Sequence, residues 1–144
     1  MRFIQETDYS MQIKQEIVKM LTSNDSDWYI SIKLIRAEST AISQLKHWLS
    51  KRYDVDLILS QTGSDRDDYI ITILIDMVLY HLCSQSGMKD IPEHRKERYQ
   101  DVLDWLKELA AGTIIADLPL LPDENSEYSD IYQFHSRPLN NNKW

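Results

Sequence analysis

The run Tyr69-Ile-Ile-Thr-Ile-Leu-Ile-Asp-Met-Val-Leu-Tyr80 constrains the fold more than any other segment. A helix built on it is apolar nearly all round, so it is stable only when other elements enclose it. The run is shorter than the roughly 20 apolar residues a membrane span needs, and Asp76 interrupts it. It therefore predicts the central helix of a domain surrounded by water. The 144 residues suit one domain, and the 42% hydrophobic content is enough to fill one modest core.

Punctuation sets the limits of the predicted helices. Only three glycines occur, and two of them, Gly87 and Gly112, stand where helix C′ residues are wanted. A first helix is expected from Glu6 to Leu21, with Ile13, Ile17, Met20 and Leu21 on one face and Asp8 serving its N-terminus. A second runs from Asp27 to Tyr53. Its start is ambiguous, because Trp28, Ile30, Ile32 and Leu34 alternate as in a strand. Further on, Leu34, Ala37, Ala41, Leu45 and Trp48 take helical spacing, with Ile35, Ile42 and Leu49 as a parallel row. Ala37 and Ala41 leave room for another helix to approach.

Residues 54–68 read as a long loop anchored by Val55, Leu57, Ile58 and Leu59. The central helix follows, from Asp65 to Ser86, with Ser64 and Asp67 placed as a capping box. The last helix takes Pro92 as its first residue and ends at Gly112. Tyr99, Val102, Leu103, Leu106, Leu109 and Ala110 lie on its inner face. The expectation is an all-α, four-helix bundle with a long loop and an extended C-terminal arm. Residues 1–116 form the helical domain and 117–144 the arm. Prolines 119 and 122 keep the start of the arm from being helical. Residues 117–136 hold five acids and no Lys or Arg, alternating with aromatics in a way that marks a docking segment.

The residues that carry chemistry are sparse. Cys83 is the single cysteine, which rules out an internal disulfide and reads as a small buried hydrophobe. His47, His81, His94 and His135 lie far apart without metal-ligand spacing. No phosphate loop, dinucleotide motif or nucleophile elbow is present. Asp76 is the anomaly. A carboxylate inside an apolar helix needs a partner, and Arg36 or Arg52 on the second helix is the expected one, leaving no catalytic role. Trp48, Trp105 and Tyr53 fall on apolar stripes and are expected in the core, and His81 reads as a satisfied core or interface histidine. No catalytic, cofactor-binding or metal-binding residue is expected, so the chain is read as a non-enzyme. A net charge of −7 with scattered bases argues against a reader of duplex DNA. The opening Met1-Arg2-Phe3-Ile4-Gln5-Glu6 lacks the apolar core of a signal peptide, and cytoplasmic synthesis is expected.

Three segments together resemble a known pattern. These are Phe3-Ile4-Gln5-Glu6-Thr7-Asp8-Tyr9, then Ala37-x3-Ala41 leading to Leu45-x2-Trp48-Leu49-Ser50-Lys51-Arg52-Tyr53-Asp54, then Ile75-Asp76-Met77-Val78-Leu79-Tyr80-His81-Leu82 with Pro92-Glu93-His94-Arg95-x3-Tyr99 and Leu106-x2-Leu109-Ala110-x-Gly112. In order and spacing they resemble the head–tail joining proteins of Mu-like tailed phages and prophages, and the wider group of head completion adaptors beneath the portal. The likeness covers residues 1–122. It implies an orthogonal helical bundle that docks as a ring, with a dodecamer as the candidate number. The implied neighbours are the portal and tail-side connector proteins. DNA is only passing cargo, and no membrane is involved. The implied setting is the bacterial host cytoplasm during assembly, then the virion neck. The expected subunit contacts are Leu57, Ile58 and Leu59 of the loop and Tyr128, Tyr132, Phe134, Arg137 and Trp144 of the arm. The competing expectation is a small helical interaction module that forms no ring.

Overall fold

The computed structural model describes residues 2–22, 26–87 and 89–122. Among these the chain is all-α. The helices are α1 (Glu6–Gln12), α2 (Gln15–Leu21), α3 (Ile32–Leu49), α4 (Val55–Ser60), α5 (Asp68–Gln85) and α6 (Glu93–Ala111). Single 3-10 turns at Trp28–Ile30 and Gly63–Asp65 precede α3 and α5. Six helices thus stand where four were expected, because two predicted segments divide or fold further.

The apolar run lies in the middle. From Ile70 to Cys83, α5 buries Ile70, Ile71, Ile73, Leu74, Ile75, Met77, Val78, Leu79 and Leu82, so both its faces are covered. It packs against α3, α6 and α1. A fully buried Leu or Ile side chain contributes about 1.5–3 kcal/mol, so α5 is the main hydrophobic contribution to stability. Leu34, Ala37, Ala41, Leu45 and Leu49 of α3 are all at most 1% exposed, and the two alanines keep that face flat where α5 approaches. Val102, Leu106 and Leu109 close the third side from α6. Tyr53 is buried as expected, whereas Trp48 and Trp105 are only partly buried against the core.

The predicted first helix is broken at Ile13 and Lys14, which are extended. The break shifts the phase of the following turns. Ile13, Val18 and Leu21 are buried, while Ile17 and Met20, expected inside, are 42% and 57% exposed. The predicted second helix begins as the 3-10 turn at Trp28–Ile30, while Ile32 and Leu34 of the alternating run already belong to α3, so none of these residues is in a strand. Its α-helical part ends at Leu49, short of Tyr53. The expected loop at 54–68 contains α4, whose N-cap Asp54 accepts the Leu57 N–H at 2.9 Å. The central helix starts at Asp68, not Asp65. Asp67 caps it directly by accepting the Ile70 N–H at 2.8 Å, and Ser64 lies in the preceding 3-10 turn. Pro92 is the N-cap of α6, one residue before the position expected for it.

The C-terminal end of α6 decides where the chain goes next. Gly112 adopts φ +77°, and Thr113 and Gly112 donate to the Glu108 and Leu109 carbonyls at 3.0 and 3.2 Å, a Schellman closure. The chain then returns along the turn after α3. Asp54 N–H donates to the Pro119 carbonyl at 2.9 Å, and Leu121 N–H donates to the Arg52 carbonyl at 3.0 Å. Tyr53 and Leu120 form an isolated antiparallel bridge. The Tyr53 hydroxyl accepts the Ala116 N–H at 3.3 Å.

Candidate interaction surface

Among the described residues, buried charge is matched within the chain. Asp76, 5% exposed, receives Arg98 Nε at 2.9 Å, with Arg95 Nη1 at 3.6 Å. Both arginines belong to α6, so the expected partners Arg36 and Arg52 on the α3 side are wrong. Asp76 faces α6, and residues 95 and 98 lie one turn apart on the side that looks back at it. The hydrogen bond to Asp76 raises the Arg98 pKa further above its usual range. Asp76 therefore fastens α6 to α5, with Arg98 hydrogen-bonded to its Oδ1 and Arg95 within ion-pair range of the same oxygen.

A second buried acid went unnoticed in the sequence. Glu38, 5% exposed on α3, receives the Arg2 guanidinium at both carboxylate oxygens and the Tyr9 hydroxyl at 2.7 Å. Arg2 also donates to the Tyr29 carbonyl and stacks on the Tyr29 ring, 3.8 Å from its centroid. Burial, then the adjacent Glu38 charge, pushes the Tyr9 phenol far above its ordinary range, so it stays a protonated donor. The signal was present, because Glu38 shares the buried face of Leu34, Ala37, Ala41 and Leu45. A third clasp joins Arg66 Nη1 to Asp8 at 2.6 Å and to the Phe3 carbonyl at 2.7 Å, while Asp8 also accepts the Gln5 N–H at 2.7 Å. Together these clasps tie residues 2–9 to α3 and to the segment before α5.

His81 is partly buried and its pKa is lowered by that burial. Its Nε2 lies 2.7 Å from Gln44 Oε1, and Gln44 Nε2 donates to the Tyr99 hydroxyl at 3.0 Å. The Tyr99 ring stacks on Tyr80 at 3.9 Å. These contacts join α3, α5 and α6 side by side. Cys83 is buried, and burial raises its thiol pKa.

The outward faces are of two kinds. Large apolar side chains stand exposed around the start of α3, with Ile30, Ile32 and Ile35 at 61%, 82% and 45%. Met11 on α1 is 91% exposed, and Ile17 and Met20 on α2 are 42% and 57% exposed. Single exposed hydrophobics are ordinary, but contiguous ones mark contact surfaces. Beside the isoleucines runs a shallow groove of about 420 Å³ along α3, lined by Phe3, Ile35, Ile42, Lys46 and Leu59.

The expected contact residues divide. Leu57 is 49% exposed and able to touch a neighbour. Leu59 is partly buried and forms one wall of the α3 groove. Ile58 is fully buried, so it is a core residue and not a subunit contact, because α4 turns it inward. Tyr128, Tyr132, Phe134, Arg137 and Trp144 lie outside the described residues. The exposure of Ile30, Ile32, Ile35 and Met11 is not readable from the sequence, because helical spacing alone does not say which of two apolar rows meets the core. No helix among the described residues is long and apolar enough to cross a membrane.

A family model described as "Bacteriophage Mu, Gp36" matches residues 3–131, which takes the likeness past the segment ending at residue 122. No curated protein and no solved structure matches the chain.

Proposed function

The chain belongs to the Bacteriophage Mu Gp36 family, and on that premise we propose that it is a structural head–tail connector subunit, docking as a ring beneath the portal of a tailed phage or prophage. The observation that carries this reading is the exposed Ile30, Ile32 and Ile35 cluster on a protein of a phage family. A ring joins one patch of each subunit to a different patch of the next. The isoleucines at the start of α3 and the exposed Met11, Ile17 and Met20 of α1 and α2 are the candidates for two such patches. Buried acids engaged by arginines fit a part whose work is done by its outer faces and not by a reacting centre. The net charge of −7 would let phosphates pass a channel wall without adhering.

The partners on this reading are further copies of the chain, the portal and a tail-side connector protein. DNA passes only as cargo, and the setting is the host cytoplasm during assembly, then the virion neck. Two variants test it in a portal co-sedimentation assay. Ile32→Glu, at an 82% exposed position, should leave the fold within about 0.5 kcal/mol of the parent, as surface changes do. It should also abolish portal-bound assembly. Removal of residues 123–144 should do the same, because the described core ends before them. Unimpaired assembly in both variants would refute the proposed contacts. A soluble one-to-one complex with a single partner would favour a small helical adaptor instead.

A further inference from the structure

We infer that the pocket between α1, α5 and the first turns of α6 receives one carboxylate, brought by an acidic side chain of a partner protein. The pocket has a volume of about 270 Å³ and is lined by Gln12, Asp76, His94, Arg95 and Arg98. Its charges do not balance. Arg98 and Arg95 both address the same oxygen of Asp76, at 2.9 and 3.6 Å. No other acid lines the pocket, and arginine stays protonated, so one positive charge is left over. Arg95 is the group with donors to spare. Its side chain is 15% exposed, and its 3.6 Å approach to Asp76 is an ion pair too long for a hydrogen bond. Among the described residues its guanidinium donates to no acceptor, yet none of its nitrogens is sealed from solvent. A guanidinium this deeply set normally has its donors matched, and the pocket is where an acceptor can reach them.

The surplus of one charge selects the ligand. It matches a monoanion, and the planar guanidinium fork fits a carboxylate through two parallel N–H donors. A phosphoryl group carries nearly two negative charges and would leave the pocket with a surplus of the opposite sign. The phosphates of DNA are opposed by the net charge of −7. The source of the carboxylate follows from the walls. Every lining side chain is polar, so a free small acid finds no apolar surface to hold it there. A larger molecule does find such surface close by. Met11, next to Gln12 in the chain, is 91% exposed. A second hollow between α5 and α6, which shares Asp76 and Arg98 with the first, is lined by Tyr69, Ile73 and Val102. Asp101 also lines that hollow, so the carboxylate belongs on the Arg95 side. Such a site serves any acidic partner, with or without a ring, and does not rest on the connector assignment.

Nuclear magnetic resonance titration of the nitrogen-15-labelled full-length chain at fixed ionic strength tests it, read at the arginine Nε–H groups and the backbone amides. The probes are acetyl-Leu-Glu-Leu amide, its Leu-Gln-Leu counterpart, sodium acetate and inorganic phosphate. The expected result is a saturating shift of the Arg95 and Arg98 Nε–H resonances with the Glu peptide and none with the Gln peptide. Acetate and phosphate should bind more weakly than the Glu peptide. Arg95→Lys keeps the charge beside Asp76 but loses the fork, and should weaken the Glu peptide about tenfold. Asp76→Asn removes the competing carboxylate and should tighten it. The titration of the parent protein stands by itself if either variant folds poorly. An equal response to the Gln peptide, or no saturable shift at Arg95, would overturn the inference. Tighter binding of phosphate would overturn it in favour of a phosphoryl ligand, and equal binding of acetate in favour of a free small acid.

Discussion

Replacing Glu38 by alanine should destabilise the protein by about 3 kcal/mol, the lower end of what breaking a buried charge pair costs. The figure follows from what is left behind. Glu38 is 7% exposed at its side chain and Arg2 is 26% exposed, so Arg2 can turn partly into water. Tyr9 is fully buried and its hydroxyl has nowhere else to go. An unmatched buried hydroxyl costs about 1–3 kcal/mol, and the lost charge-assisted bonds supply the remainder. For 144 residues, each kcal/mol lowers the melting midpoint by about 3 °C, so the shift should be near 10 °C. Circular dichroism during thermal and urea unfolding reads both quantities. Tyr9→Phe alone should cost about 1.5 kcal/mol, but in the Glu38→Ala background it should be neutral or stabilising, a coupling of about 1.5 kcal/mol or more. If Glu38→Ala unfolds within 0.5 kcal/mol of the parent, or the two changes add, the clasp does not hold residues 2–9 in the way described.

Asp76→Ala should cost about 2–3 kcal/mol, because Arg95 is only 15% exposed and stays behind. Arg98→Ala should also cost about 1–3 kcal/mol, since it leaves the Asp76 carboxylate, 7% exposed, without its hydrogen bond; a loss under about 0.5 kcal/mol in urea titration would contradict the assigned geometry. His81 has its pKa lowered by burial from the usual 6.5. The unfolded chain therefore takes up the proton first, and the contribution of His81 should be intact above pH 6.5 and decline as the pH falls below it. The stability difference between the parent and His81→Gln should shrink over that interval, and a flat or growing difference would refute the sign. Gly112→Ala should cost about 1–3 kcal/mol for its left-handed backbone. It should cost about as much as Gly63→Ala, whose φ is +58°, because the Arg52 Nη1 standing 2.8 Å from a Cβ at 112 is the tip of a flexible side chain that can move aside; paired melting curves decide it.

The parts legible in the sequence were those fixed by local chemistry. Continuous apolarity from Tyr69 to Tyr80 allows only a covered helix, and α5 is buried on both faces. Gly87 and Gly112 adopt φ of +72° and +77°, as helix-ending glycines do. What the sequence hid depends on neighbours far along the chain. Arg95 and Arg98 lie in a stretch of alternating charges that reads as solvated surface, and only the packing of α6 on α5 turns them toward Asp76. The break at Ile13–Lys14 carries no proline or glycine. It sits where Ile13 is buried and Gln12 donates to Thr72 of α5 at 3.1 Å. Helix α4 has only six residues, too few to form alone, so its period is invisible beside its flanks even though Asp54 caps it. Both Leu57 and Ile58 were expected at the surface, and only Leu57 is exposed, since a single turn of helix decides which of them faces in. The exposed Ile30, Ile32 and Ile35 were hidden for a related reason: an alternating run does not disclose that it forms a 3-10 turn leading into a helix.

The most direct test of the connector role is electron microscopy of the purified chain incubated with its cognate portal. The account predicts a closed ring of this protein seated beneath the portal and lost in Ile32→Glu. Portals that stay bare at saturating protein, or single copies bound without ring closure, would contradict it.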